Sequence, residues 1–354
     1  MRAQKGLGEE KDEPRRSLFA RLRRRVLQAG AVLLVLVIVL AVAGAVWEQS
    51  AAQSFAQDFP PAGELVTLAD GRRMHFVSRG EGEPTVVLES GLGDSGRSWD
   101  VIADEIATTT RVISYDRAGY GWSDPSDAPS DARSITEDLH EGLAALGVSG
   151  PLVLVGHSIG GVYVRHYAAV HPDEVVGLVL LDSSHEEQAQ RLPAAVTEMF
   201  VWQGRLFQAL SILSRVGGVR LLAAVGAHPA LAADAGALDK ELYCRSSAVR
   251  ALSAEFNSMK ESCRQAKELG LDLGDRPLVV LTADELADPA NELPAKMAAH
   301  YPEMRKVWLE LQQELVGLST NVVHEVVPRA GHYVHHDRPE VVILHVRSMI
   351  ESFR

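Results

Sequence analysis

The sequence predicts an α/β protein: a mostly parallel sheet covered by helices, with a helical block inserted late and an apolar helix ahead of it. Three observations point there. From residue 64 onward, short β-branched and leucine runs alternate with helix-compatible stretches, the pattern of a parallel sheet buried on both faces. Residues with reactive side chains stand at the carboxyl ends of those runs, where open α/β sheets gather their sites. One uncharged run near the N-terminus is long enough to cross a bilayer.

The N-terminal region divides by charge. Residues 1–25 hold nine Lys or Arg against four acids, in a chain whose net charge is −12. Val26 to Trp47 then gives 22 residues with no charge and one polar amide, Gln28. As a helix that run is about 33 Å long, enough for a bilayer core. From Glu48 to Gly71 there are acids but no Lys or Arg. The positive-inside rule therefore expects residues 1–25 as a cytoplasmic tail, 26–47 as a single-pass signal anchor in the cell membrane, and the remainder outside. The rival is a signal peptide cut near Ala43-Gly44-Ala45, giving a secreted protein; the run exceeds a usual signal core, which favours the anchor. No amphipathic face marks it as a buried soluble helix. Residues 48–63 read as a polar, Pro-containing linker. Acidic balance, with no basic patch and interleaved aromatics, argues against nucleic acid as a partner.

The remainder, 64–354, reads as one domain. Leu65–Leu68 and Met74–Val77 flank Asp70-Gly71 as a hairpin. Thr85–Glu89 is a buried strand, followed by a helix carrying Trp99, Ile102 and Ile106. Arg111–Asp116 is the next strand, and Ser134–Leu146 an amphipathic helix. The strand from Leu152 runs into Gly156-His-Ser-Ile-Gly160, with a helix to His171 beyond. Val175–Asp182 is the sixth strand. Residues 186–272 are helix-rich without a strand run and form the inserted block. Alternation resumes with Pro277–Thr282, a helical stretch from Leu293 to Leu318, a strand over Val322–Val327, and a closing helix from Pro339 to Glu351. That makes eight strands.

The chemistry centres on Ser158. A strand, a Gly-x-Ser-x-Gly turn and a helix hold a serine at a strained elbow with its hydroxyl exposed. With 26 serines and 29 glycines in 354 residues, the pattern arises by chance roughly 0.2 times per chain, so context decides its weight. A serine hydroxyl needs a base, and the base an orienting group. His332, after the last strand, is the best base, and the order Ser, acid, His fits. Two acids compete for the third place: Asp182, ending the sixth strand, and Asp284, just past the seventh. A developing oxyanion needs two preorganised donors. The N–H of Ile159 supplies one, and the Gly91-Leu92 loop, through Leu92, the other.

Four stretches together resemble the α/β-hydrolase superfamily in its lid-bearing branch: Ser90-Gly-Leu-Gly-Asp94, Tyr115-Asp-Arg-Ala-Gly-Tyr-Gly-Trp-Ser123, Gly156-His-Ser-Ile-Gly-Gly161 and Gly331-His-Tyr-Val-His-His-Asp-Arg-Pro-Glu340. The resemblance covers about residues 64–352. It implies the α/β-hydrolase fold with 186–272 as a lid, and a serine hydrolase acting on esters or related acyl compounds without a cofactor. The superfamily usually keeps its acid just past the seventh strand, where Asp284 stands, but some branches end the sixth strand on the carboxylate that orients the histidine, and with the stretch Asp182-Ser-Ser-His-Glu-Glu187 this favours Asp182. A peptidase, a C–C hydrolase or a non-catalytic ligand binder on this fold are the rivals; aspartate-nucleophile enzymes are disfavoured by Ser158. Ser90 departs from the histidine many members carry there, which leaves the backbone donors in place.

Other residues receive plainer readings. His332, His335 and His336 have metal-like spacing, but a helix start follows them, and no metal is expected. His157, beside the nucleophile, packs under the sheet, Arg117 holds a loop, and Trp122 is divided between pocket and packing. Met199–Trp202, Leu206, Phe207, Leu210, Ile212 and Leu213 form a lid stripe, expected to line a pocket for an apolar acyl substrate. Cys244 and Cys263 are either a disulfide or two free thiols.

Overall fold

The computed structural model describes residues 13–226, 236–284, 293 and 295–354. Helix α1 spans Glu13–Asp58, and an eight-stranded sheet follows in the order β1-β2-β4-β3-β5-β6-β7-β8. The strands are β1 (Glu64–Thr67), β2 (Arg73–Arg79), β3 (Thr85–Glu89), β4 (Val112–Tyr115), β5 (Leu152–His157), β6 (Val175–Leu181), β7 (Leu278–Ala283) and β8 (Val322–Val327). The β1–β2 hairpin and the β2–β4 pair are antiparallel; every other pair is parallel. This is the expected α/β-hydrolase fold.

Alternation along the strands sends side chains to two cores. Val87 and Leu154 face the layer made by α3 (Ala132–Ala145) and α4 (Gly160–Val170), where Leu139, Leu143, Val164 and Tyr167 pack. Val86, Leu88, Val153 and Val155 face the other layer, with α2 (Asp100–Ala107) supplying Ile102 and Ile106. β3, β4 and β5 are buried along their whole length, as strands covered on both faces must be. Each such Val or Leu contributes about 1.5–3 kcal/mol.

Between β6 and β7 the chain is helical: α5 (Gln188–Arg191), α6 (Ala194–Ser214), α7 (Gly218–Ala224), α8 (Ala237–Cys244) and α9 (Ser246–Leu269). α6 lies on α9 through Phe200 and Phe207, both edge-on to Phe256. α9 in turn covers the loop after β3, where a Cβ at Gly93 would touch Leu252. The lid stripe divides. Phe200 faces inward, whereas Trp202 and Ile212 are 62 % and 71 % exposed. Helical spacing identifies a face, but a two-layer lid offers apolar side chains to both sides.

α1 departs from expectation at its C-terminal end. Residues 48–58, read as linker, continue the helix. Glu48 is buried against Arg220 of α7 and accepts from the Ser246 N–H at 2.8 Å. Phe55 is buried beside Trp122, beneath the Arg245 guanidinium. Burial of these two side chains, not local composition, keeps the segment helical. The apolar part of α1 is unburied and is the candidate membrane span.

Candidate active site

The site stands at the carboxyl ends of β3, β5, β6 and β7. β5 ends at His157, and the chain reverses through Ser158 into α4 with Ser158 at φ 55°, left-handed for a non-glycine. The surroundings hold that conformation. The Ser158 N–H donates to Leu181 O at 3.0 Å, and its carbonyl accepts from Gly161 at 3.0 Å and Ser184 at 2.8 Å. Glycine is required beside it. A Cβ on Gly156 would lie 2.7 Å from Gly160 O, and one on Gly161 would lie 2.0 Å from Ser183 Oγ.

His332, between β8 and a short helix (Val334–Asp337), places Nε2 3.0 Å from Ser158 Oγ. Its Nδ1 lies 2.6 Å from Asp182 Oδ2. The other oxygen of Asp182 accepts from the Ala283 N–H at 3.0 Å and the Trp308 indole N–H at 2.7 Å. Burial pushes the Asp182 carboxyl up, but hydrogen bonds from His332 and Trp308 and the His332 charge outweigh it and hold it below the usual range. Desolvation works against a charged His332, yet the hydrogen bond and charge of Asp182 raise it above the ordinary imidazole value.

Asp284 takes a different position. Its carboxylate accepts from the Arg329 N–H at 3.2 Å, and its own N–H donates to Ala330 O at 2.8 Å. It fastens the loop leading to His332, while Asp182 meets the ring. Ile159 follows the serine and Leu92 stands in the loop after β3, and among the described residues neither N–H is taken by a protein acceptor. The side chains of Leu92 and Met259 rest against a buried cluster of Ile159, Val162 and Tyr163.

Arg117 fixes the loop that carries Leu92. Its buried guanidinium donates to Ser90 O at 2.8 Å and Gly91 O at 2.7 Å, and pairs with Glu89 at 2.7 Å and Glu255 of α9 at 2.9 Å. Ser90 Oγ accepts from the Trp99 indole at 3.0 Å, so serine there holds the loop's root. His157 Nε2 lies 2.9 Å from His332 O. Burial, reinforced by His332 and His335, drives the His157 pKa far down, so its Nε2 carries the proton and donates to that carbonyl.

The remaining candidates are engaged in contacts of their own. Trp122 donates to Phe59 O at 2.8 Å and packs at a tilt against Phe55, so it docks α1. His335 is buried against Trp99, and His336 contacts Ser98 O at 2.9 Å. Cys244 and Cys263 are free, buried thiols in separate clusters.

Sequence reasoning missed Trp308, Glu255 and Asp94. Trp308 belongs to no motif, and nothing in the sequence marks it. Glu255 is a charge on the apolar Leu252–Met259 face of α9, an anomaly that could have flagged it. Asp94 stands inside a recognised motif without an assigned role. It is buried, pushed up by burial against the pull of Arg117 and a hydrogen bond with Tyr333, and its Oδ2 lacks a partner among the described residues.

Comparison with known proteins agrees with this architecture. The probable transporter efuK of Hormonema carpetanum is 25 % identical over 312 residues, 82 % of this chain; the chain spans 43 % of that relative's length. The epoxide hydrolase CorEH shares 20 % identity, covering 82 % of this chain and 99 % of its own at TM-score 0.59. An esterase from Exiguobacterium antarcticum shares 16 %, with 82 % and 99 % coverage at TM-score 0.56. A sequence model described as the alpha/beta hydrolase family matches residues 86–343, and the chain belongs to that family.

Proposed function

We propose that the protein is a membrane-anchored serine hydrolase that cleaves carboxylic esters or related acyl compounds through an acyl-enzyme. The observation carrying this reading is the relay of Ser158 Oγ, His332 and Asp182 at 3.0 Å and 2.6 Å. Ser158 Oγ attacks the acyl carbon while His332 Nε2 takes its proton. The tetrahedral oxyanion sits against the Leu92 and Ile159 N–H groups. Collapse expels the alcohol, which leaves with the proton from His332. Water, deprotonated by His332, then attacks the acyl-enzyme, and the second collapse releases the acid and restores Ser158. Asp182 keeps Nδ1 protonated, so Nε2 faces the hydroxyl as acceptor. The apolar side chains of Leu92 and Met259 favour an apolar acyl group.

The anchor reading rests on the uncharged run 26–47 behind a basic tail, with the tail cytoplasmic and the hydrolase domain outside. Labelling with a fluorophosphonate, followed by peptide mapping, tests the catalytic reading. The expected result is one adduct at Ser158, lost in Ser158→Ala and in protein denatured before exposure. A folded chain that takes up no label at Ser158 overturns it.

A further inference from the structure

We propose that the outer face of the lid, the elbow formed by α6 and α7, is a second membrane-binding surface seated in the lipid leaflet beside the C-terminal end of the α1 span. The proposal rests on the membrane-anchor reading and goes beyond it. Its first support is depth. A Cβ on Gly44 would lie 2.1 Å from Val216 O, and one on Gly217 would lie 3.0 Å from Gly44 O and from the Trp47 ring. Backbone therefore touches backbone between α1 and the turn joining α6 to α7. Gly44 belongs to the uncharged run and lies about 4.5 Å along the helix on the bilayer side of Trp47. Tryptophan favours the membrane interface. A lid turn that touches Gly44 must reach that interface whenever α1 spans.

The second support is the chemistry of that turn's neighbours. α6 and α7 meet at 98°, and their outer sides expose Trp202, Ile212, Leu221 and Val225 at 62, 71, 57 and 68 %. Residues 199–226 contain three arginines and no acid, in a chain of net charge −12. Arg220 is spent on Glu48 and Glu241, whereas Arg205 and Arg215 are exposed among the apolar side chains. Apolar and aromatic side chains mixed with arginine, and no acid, suit the boundary between acyl chains and anionic headgroups. Water alone has no use for such a face. A buried ion pair between Glu48 and Arg220 fixes its angle to the span.

The test uses the full chain in vesicles containing anionic lipid. The native thiols are buried, so a cysteine introduced at an exposed position takes an environment-sensitive fluorophore selectively. Ile212→Cys, Leu221→Cys and, as an anchor reporter, Leu36→Cys are labelled singly, and circular dichroism confirms that each folds as the parent does. Expected is a blue shift at 212 and 221, with loss of emission to a nitroxide carried just below the lipid headgroup. Position 36 should lose emission to a nitroxide near the bilayer midplane. Quenching at 36 with none at 212 or 221 overturns the lid proposal and leaves the anchor standing. No quenching at 36 overturns both. A blue shift at 212 and 221 that grows with chain density, without lipid quenching, assigns the face to a second copy and also overturns the proposal.

Discussion

Two aspartates end neighbouring strands within a few residues of one another in space, and hydrogen bonding separates their roles. Asp182 faces the His332 ring with one oxygen and has the other filled by Ala283 and Trp308. Asp284 faces backbone. Under the proposed mechanism, Asp182→Asn should lower kcat about ten-thousand-fold, because the amide stabilises the wrong imidazole tautomer. Asp284→Asn should leave kcat near the parent value. Steady-state kinetics on an activated ester decides between them; the reverse ranking refutes the assignment. pH dependence follows from the same contacts. His332 acts as base only when neutral, so kcat/KM falls as pH drops through its raised pKa. Asp94 adds to that elevation through its charge. Asp94→Asn should therefore move the acidic limb of kcat/KM to lower pH, and a limb that stays in place or moves upward refutes the coupling.

At the scale of elements, the loop after β3 and the lid helix α9 share one buried cation. Arg117 is 4 % exposed and binds two carboxylates and two carbonyls. Removing one member of such a cluster leaves buried charge uncompensated. Arg117→Met should cost about 3–5 kcal/mol of stability, read by chemical denaturation. It should also lower kcat more than it raises KM, since the displaced loop carries Leu92. Loss of stability with kcat intact would mean that the loop keeps its shape without Arg117. The strands were legible because each combines β-branched residues with turn signals, and the elbow because steric demand at Gly156, Gly160 and Gly161 leaves little choice of residue. The continuation of α1 through 48–58 was not legible. Its polar composition matches a linker, and its helical state depends on Arg220, Arg245 and Trp122, none of which is near in sequence. Which acid meets His332 was likewise open, since both candidates follow strand ends and the decision rests on backbone and indole donors that no motif contains.

For the whole molecule, the consequence of that contact is mechanical. Helix α1, the lid and the sheet are joined in series: Gly44 to Gly217, Glu48 to Arg220, Phe55 to Trp122, and Arg117 between α9 and the loop after β3. Glu48 holds the middle link, since it neutralises Arg220 and satisfies the Ser246 N–H at the start of α9. Glu48→Ala leaves that donor unpaired and Arg220 with Glu241 alone. Hydrogen–deuterium exchange on the full chain in detergent should then rise in residues 44–59 and 216–224, while β3 to β7, buried on both faces, stay protected. Glu48→Gln, which keeps an acceptor for Ser246 but loses the charge, should fall between the two. Faster exchange across the sheet as well would mean that α1 is part of the domain's cooperative core. Unchanged exchange in 44–59 would mean that Phe55 and the glycine contact hold α1 in place without the ion pair.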